Sequence, residues 1–174
     1  MSEPTIRSAR ADDAAALHAL IEGAYRGDGA RIGWTHEADL LDGQRTDVAA
    51  LSAILADPAQ RLLVAEAAGE RVGCVHVNRP ATDVAYLGML TVAPGRQAGG
   101  LGRRLIAAAE DVARGWGVAA MEMTVIRQRT ELIAWYERRG YARTGETRPF
   151  PLDDPRFGIP RTRALAFVVL ARRL

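Results

Sequence analysis

The stretch that decides the fold is residues 90–104, which read LTVAPGRQAGGLGRR. Gly99, Gly100 and Gly102 lie within four consecutive positions, after an apolar segment and at the start of an amphipathic one. This pattern predicts a buried strand, a turn and then a helix. Backbone N–H groups at the start of a helix lack partners within it, and the helix dipole adds partial positive charge there. Because glycines carry no side chains, a phosphate can approach those N–H groups closely.

Two familiar phosphate-binding motifs do not fit this Gly-rich turn. A dinucleotide-binding fingerprint needs a third glycine at a set spacing after Gly102 and an acidic residue at the end of a second parallel strand about 20 residues later, and neither is present. A P-loop needs a lysine, and the chain has arginine but no lysine. A tight turn in which glycine serves only backbone geometry remains an alternative. We expect an anion site built from backbone N–H groups, with Arg103 and Arg104 adding positive charge.

The pattern outside this stretch predicts a mixed α/β sheet in one domain of residues 1–174. A helix capped by Asp12 follows the first strand, a second short helix begins at Leu40-Leu41, and a third is capped by Thr46 or Asp47. Gly88 lies inside a strand, which indicates a bulge or a close backbone approach. The predicted strands are 5–10, 61–67, 72–78, 84–92, 119–126, 141–147 and 164–171, and the later helices are 101–116 and 130–139.

The composition of the chain limits the classes of function that it can have. The chain has 174 residues, one cysteine and a net charge of +2, so it predicts a single domain without an internal disulfide. We expect no membrane association because no apolar run approaches the ~20 residues that span a bilayer. We expect no nucleic-acid binding because no basic stripe with interleaved aromatics occurs. No Cys/His cluster has zinc spacing, which predicts no metal, and a cytoplasmic location is the default.

Two segments resemble the signatures of the GNAT family of N-acetyltransferases. The acyl-CoA signature of that family is Gln or Arg, two residues, Gly, one residue, and then Gly or Ala. Gln97, Gly100 and Gly102 stand at those positions. The second signature, a Tyr on a helix four residues before a Gly-aromatic pair, is similar to Tyr136 followed by Gly140-Tyr141. The resemblance implies a GNAT-like acyl-CoA N-acyltransferase fold with a mostly antiparallel sheet flanked by helices, and acetyl-CoA as cosubstrate.

The same resemblance implies where the cofactor lies. The strands before and after the Gly-rich helix would splay apart, with pantetheine in the gap and the diphosphate on the N–H groups of residues 97–103. Arg129 departs from the family pattern, which often has Asn there, and it could reach a phosphate instead. The cofactor-binding residues that the resemblance implies are Leu90, Val92, Gln97, Ala98, Gly99, Gly100, Leu101, Gly102, Arg103, Arg104 and Arg129.

Acetyl transfer to an amine needs a neutral amine and a proton for the departing thiolate. The resemblance places Tyr136 near the thioester sulfur, where its hydroxyl is the expected acid; a core aromatic role is the alternative. The catalytic base is open among Glu37, Asp39, Glu122 and a chain of water molecules.

Cys74 and His76 lie on a predicted apolar strand, where we expect both to be core residues. An acetyl-cysteine intermediate would need Cys74 with a nearby base, and His76 is two residues away. Direct attack of the amine is the expectation, and transfer through Cys74 is the alternative.

The acceptor side is predicted from the loop after the first helix and from the segment after residue 147. The candidate acceptor-binding residues are Trp34, His36, Glu37, Arg148 and Phe150. We expect a small-molecule amine as acceptor. An acyl-CoA sensor without transfer activity, or an enzyme that acetylates protein amines, would be the alternatives. The apolar last strand, residues 164–170, could also support a homodimer.

Overall fold

The computed structural model of the chain describes residues 2–80 and 83–174. Within them, helices flank a central sheet, and a two-stranded sheet lies apart from it. The helices are α1 (Ala14–Tyr25), α2 (Gly27–Ala30), α3 (Val48–Ala56), α4 (Leu101–Gly115) and α5 (Thr130–Glu137). The strands are β1 (Thr5–Ser8), β2 (Leu41–Asp42), β3 (Gln60–Ala67), β4 (Glu70–Asn78), β5 (Val84–Val92), β6 (Ala120–Ile126), β7 (Ala142–Pro149), β8 (Ile159–Pro160) and β9 (Ala166–Arg173).

The central sheet has the order β1-β3-β4-β5-β6-β9-β7. Its pairs are antiparallel except β5 with β6, which run parallel with α4 as the connection between them. The mixed, mostly antiparallel sheet expected from the sequence is therefore confirmed.

The sheet is covered on both faces, which explains the near-continuous apolar pattern of its central strands. Helices α4 and α5 pack on one face, where the buried residues include Leu105, Ala109, Ile133, Leu63, Val75, Met121 and Met123. Helices α1 and α3 pack on the other, where they include Leu17, Ile21, Leu51, Leu62, Val64 and Cys74. A strand buried on both faces loses polar–apolar alternation, as β3 and β4 do.

The sheet opens between β5 and β6. Their last parallel partners are Tyr86 and Glu122, and the strands do not pair beyond them. On its other edge β5 is bulged, because Met89 and Leu90 together oppose one residue of β4, and Met89 has a positive φ of 46°. A bulge bends its strand. A Cβ at Gly88 would lie 3.2 Å from the Tyr86 ring. Of the two alternatives predicted near Gly88, the bulge is confirmed; the groups close to Gly88 are side chains and not a neighbouring backbone.

Two local predictions were wrong. Leu40-Leu41 does not start a helix: Leu41 is in β2, which pairs with β8 through Leu41–Pro160, and burial of Leu41 against a distant segment decides its conformation. Asp12 does not cap α1. A single 3-10 turn precedes the helix, and the Asp13 carboxylate accepts the Arg10 N–H at 2.8 Å. The predicted cap at Asp47 is confirmed, since its side chain accepts from Ala50 N–H at 2.7 Å.

The apolar last strand is accounted for within the fold. Strand β9 lies between β6 and β7, so both of its edges are paired inside the sheet. Its apolar residues Val168, Val169 and Leu170 are buried there. The homodimer stays a prediction, but this strand no longer argues for it.

We predict that Asp13→Asn lowers the free energy of unfolding by about 2–3 kcal/mol, because the buried carboxylate accepts hydrogen bonds from Arg7 and Arg71. Urea denaturation measures this. The hydrogen bonds from Arg7 hold the pKa of Asp13 well below its usual value. The contribution of Asp13 to the free energy of unfolding is therefore present above pH ~4 and lost as the pH falls further. The Asp13→Asn variant should accordingly lose less stability on acidification than the wild type.

Asp12→Asn is the matched control, since Asp12 is exposed. It should change the unfolding free energy by less than about 0.5 kcal/mol. Equal effects of the two substitutions would contradict a specific role for Asp13.

Candidate functional site

The backbone N–H groups of the Gly-rich turn are free of partners in the described part of the chain. From Gln97 to Arg103 none of them donates to another group there, and Arg104 N–H is the first to bond back, to Gly100 O at 3.2 Å. Helix α4 begins at Leu101, so its dipole adds positive charge at the same place. Consecutive unpaired donors at a helix start form a site for an anion.

The positions of the turn differ in whether their backbone conformation calls for glycine. Gly100 has a φ of 81°, in the left-handed region that side chains disfavour. Ala98 also has a positive φ, 68°, without the freedom of glycine. A Cβ on Gly102 would lie 3.4 Å from the Trp135 ring, which is an ordinary van der Waals contact. Backbone conformation therefore calls for glycine at Gly100, whereas packing does not require it at Gly102.

A cavity of about 470 Å³ lies against these N–H groups. The turn, the end of β5 and one side of α5 form its walls, and Trp34 contributes from the loop after α2. The charged residues that line it are all arginines: Arg96, Arg103, Arg129 and Arg139. No carboxylate is found among the described residues lining it. The cavity therefore suits a ligand with several negative charges.

The predicted carbonyls of β5 line this cavity and already accept one hydrogen bond each. Tyr25 Oη donates to Leu90 O at 2.8 Å, and Gln97 Nε2 donates to Val92 O at 3.2 Å. A carbonyl has two lone pairs, so each oxygen keeps one for a ligand. Gln97 also holds the neighbouring loop, because its Oε1 accepts the Trp34 N–H at 2.8 Å.

A second cavity of about 250 Å³ lies in the gap between the splayed strands. It has walls from β5, β6 and the segment after β7. The two cavities share Tyr25, Leu90, Arg129, Leu132 and Tyr136. We call these five residues the junction. A molecule in each cavity would meet its neighbour there.

Tyr136 lies at the junction with its ring held by neighbouring aromatic residues. Its ring packs edge-on against Trp135 and Tyr141 at centroid distances of 5.1 and 6.1 Å, which fixes its direction. Its hydroxyl makes no hydrogen bond to the described residues. Burial raises the pKa of Tyr136 above its usual value, so the hydroxyl keeps its proton at neutral pH.

The predicted acceptor residues fall into two groups. Glu37 and Phe150 are buried and line the second cavity, and Trp34 lines the first. His36 and Arg148 line neither cavity. His36 accepts the Ala38 N–H at 3.2 Å in its own loop, and Arg148 bonds to Glu122 at 3.0 Å.

The remaining base and cofactor candidates are also placed. Glu122 is held in the pair with Arg148, and Asp39 is paired with Arg31 on the surface, so the structure brings neither to the junction. Arg129 lies at the junction and donates to Thr35 Oγ1 at 2.7 Å. Arg104 instead donates to Pro4 O at 2.8 Å and pairs with Glu3.

Several residues of the cavities were not predicted. Arg139 lies 3.6 Å from the centre of the Trp135 ring in the first cavity, and Tyr25, Arg26, Arg45 and Tyr86 line the second. The residues of the second cavity carry no shared local pattern in the sequence. Arg139 stands in the segment of the second signature, three residues after Tyr136, and this position was the available signal.

Two further properties concern the described residues. None of their helices is both long and apolar enough to cross a bilayer. No three or more of their His, Cys, Asp and Glu side chains are arranged to hold a metal ion.

Comparison with known proteins adds an independent finding. A family model described as "Acetyltransferase (GNAT) family" matches residues 17–141. No curated protein matches the chain.

Three solved structures resemble this one. The structure of yncA from Salmonella typhimurium with its cofactor acetyl-CoA has a TM-score of 0.73 at 22% identity, over 99% of this chain and 95% of that one. A ribosomal-protein-alanine N-acetyltransferase from Brucella melitensis has a TM-score of 0.71 at 23% identity, over 98% of this chain and 99% of that one. Nourseothricin acetyltransferase has a TM-score of 0.72 at 18% identity, over 99% of both chains. These likenesses confirm the fold that the two signatures implied.

We predict that Cys74 does not react with Ellman's reagent in the folded protein. Its side chain is fully buried, and burial raises the pKa of the thiol to about 12, so only about one molecule in ten thousand is thiolate at pH 8. About one equivalent should react after denaturation, which is the internal control. Rapid reaction of the native protein would restore the acetyl-cysteine route as an alternative.

Proposed function

Since the chain belongs to the acetyltransferase (GNAT) family, we propose that it transfers the acetyl group of acetyl-CoA to a primary amine of a small molecule by direct attack. The row of free N–H groups from Gln97 to Arg103, opening into a cavity with four arginines, is the observation that carries the proposal. A second cavity meets it at Tyr136 and offers room for an acceptor.

The first cavity fits the cofactor. The N–H groups of residues 97–103 would hold the diphosphate, at roughly 1.5–3 kcal/mol for each charge-assisted hydrogen bond. Arg96, Arg103 and Arg139 would add charge for the phosphates. The carbonyls of Leu90 and Val92 would accept from the pantetheine amides. This assignment makes Arg104 a surface contact rather than a phosphate ligand.

Acetyl-CoA would supply a thioester whose carbonyl carbon the amine nitrogen attacks. Tyr136 would donate its proton to the departing sulfur, which its raised pKa allows at neutral pH. Glu37 is the carboxylate among the described residues that line the second cavity, so it is favoured over Glu122 as the base. A water molecule in that cavity is the alternative acceptor of the amine proton.

The shape of the second cavity favours a small acceptor over a protein. Pro151 and Phe157, from the segment after β7, form part of its wall. Its volume of about 250 Å³ lies just below the usual range of small-molecule pockets, ~300–1,000 Å³.

We predict that Gly100→Glu weakens CoA binding at least about 100-fold, because it adds a negative charge beside the diphosphate. Gly100→Gln is the matched control, because it has the same size and the same strain at positive φ but no charge. Its affinity for CoA should fall only about tenfold. Calorimetric titration with CoA measures both, after circular dichroism has confirmed folding. An unchanged affinity in Gly100→Glu would exclude the anion site.

We predict that wild-type protein releases thiol from acetyl-CoA with at least one member of a panel of primary amines, and that Tyr136→Phe lowers kcat about 10- to 100-fold without changing the Kd for CoA. The wild-type rate should not fall between pH 8 and 10, because burial raises the pKa of Tyr136. Thiol detection measures each rate.

Tyr141→Phe is the control for that experiment, since Tyr141 donates to Glu110 at 2.9 Å and does not line either cavity. Its kcat should stay near the wild-type value. Tight CoA binding without thiol release for any amine would support a sensor instead. Equal turnover in Tyr136→Phe would remove the acid role.

A further inference from the structure

The second cavity contains a cluster of three arginines, Arg26, Arg45 and Arg129, which we call the arginine cluster. The three guanidiniums surround Glu37, at nitrogen–oxygen distances of 3.4, 3.8 and 3.6 Å. Glu37 is buried, so these charges interact with little screening by water. Three positive charges therefore share one carboxylate inside a cavity.

The charges of the cluster are not balanced by the carboxylates that the structure places beside it. Glu22 lies near the cluster, but the Glu22 Oε1 atom already accepts the backbone N–H groups of Arg45 and Thr46, each at 2.8 Å. Counting both glutamates, the cluster retains one net positive charge. Arg26 is buried, whereas Arg45 and Arg129 stay partly exposed and line the cavity, where an anion would balance the remaining charge.

Arg26 shows this incompleteness at the level of atoms. The residue is only 7% exposed, and its Nη1 pairs with Glu37 Oε2 at 3.4 Å. Its Nη2 donates to Phe157 O at 3.3 Å, whereas its buried Nε has no hydrogen-bond partner among the described residues. Buried donors are almost always paired in proteins, so the polar contacts of Arg26 are incomplete. A carboxylate matches the two-pronged geometry of a guanidinium.

The cluster lies beside the junction, which limits the distance between an anion and the reacting amine. Arg45 and Arg129 stack on the Tyr25 ring at 5.1 and 5.8 Å from its centre. Tyr25 itself belongs to the junction and donates to Leu90 O. Arg129 belongs to both the cluster and the junction, so an anion bound there and an amine at the junction would be neighbours.

The rest of the lining of the second cavity is mostly apolar, and four of its residues are aromatic: Tyr86, Phe150, Phe157 and Phe167. We call these four residues the aromatic wall, in which Phe150 packs against Phe167 at a centroid distance of 5.2 Å. Such a wall suits an apolar or aromatic side chain.

We propose that the acceptor is an α-amino acid with an apolar or aromatic side chain, whose carboxylate binds the arginine cluster while its amine lies at the junction. This inference rests on the proposed function, because it names the acceptor of that transfer. The side chain would then lie against the aromatic wall. Arg26, Arg45 and Arg129 become specificity-determining residues, and Glu37 keeps its place between them.

Paired substrates test the proposal. Apolar and aromatic L-amino acids are compared with their amides, which keep the amine and the side chain but lack the charge. We expect kcat/KM to be about 10- to 100-fold higher for the acid, the factor that charge-assisted hydrogen bonds provide. The amine of an amide has a pKa of only about 8 and is more often neutral, so intrinsic reactivity favours the amide and works against the expected result.

Arg45→Gln tests the cluster directly, since Arg45 is partly exposed and its loss should leave the fold intact. It should raise KM for the acids about 10-fold or more, leave KM for the amides within about twofold, and leave the Kd for CoA unchanged. Arg31→Gln is the matched control, because Arg31 pairs with Asp28 and Asp39 outside the cavity. It should change none of these values.

The outcomes separate the two proposals. Amides that react as fast as the acids, or faster, would overturn the amino-acid acceptor while leaving acetyl transfer intact. Arg45→Gln that affects acids and amides equally would also overturn it. A lack of thiol release with every acid and amide would overturn this inference. A lack of thiol release with the whole panel of primary amines as well, together with retained CoA binding, would also remove the proposed function.

Discussion

The separation of β5 from β6 is the constraint on which the rest of the structure depends. The strands share three parallel pairs, and the bulge at Met89 then bends β5 away. Two cavities and the hydroxyl of Tyr136 occupy the space that regular pairing would have closed. The backbone groups at the end of β5 are freed from a ladder with β6 and become available to a ligand. The opening thus supplies both room and hydrogen-bonding groups.

The two cavities use positive charge differently. In the first, backbone N–H groups and the dipole of α4 act at fixed positions, and arginines line the same space. In the second, the charge comes from side chains that surround one buried carboxylate. A fixed backbone site suits a group common to many ligands, such as a diphosphate. Side-chain charges can differ between related chains and are suited to selection of an acceptor.

The residues that form the first cavity could be predicted from the sequence, and those that form the second only in part. Residues 90–104 contain the end of the strand, the turn and the helix start in one continuous segment. The sequence of this segment therefore indicates both the chemistry of the anion site and its place in the fold. The second cavity instead joins Arg26, Glu37, Arg45 and Phe150, which are brought together by the fold from separate segments. Glu37 and Phe150 were found through the loops that carry them. The arginine cluster has no local pattern, in a chain whose 23 basic residues are all arginine.

The side chain of Gln97 connects the Gly-rich turn with the loop that carries Trp34 and Glu37. It bonds to the end of β5 and to the backbone of the loop that carries Trp34, and a Cβ on Gly33 would lie only 2.5 Å from it. A ligand that shifts this turn must therefore shift the loop as well. If occupancy of one cavity alters affinity in the other through this connection, thermodynamic reciprocity requires the same factor in both directions. One amide side chain between a turn and a loop would then make the two binding equilibria interdependent.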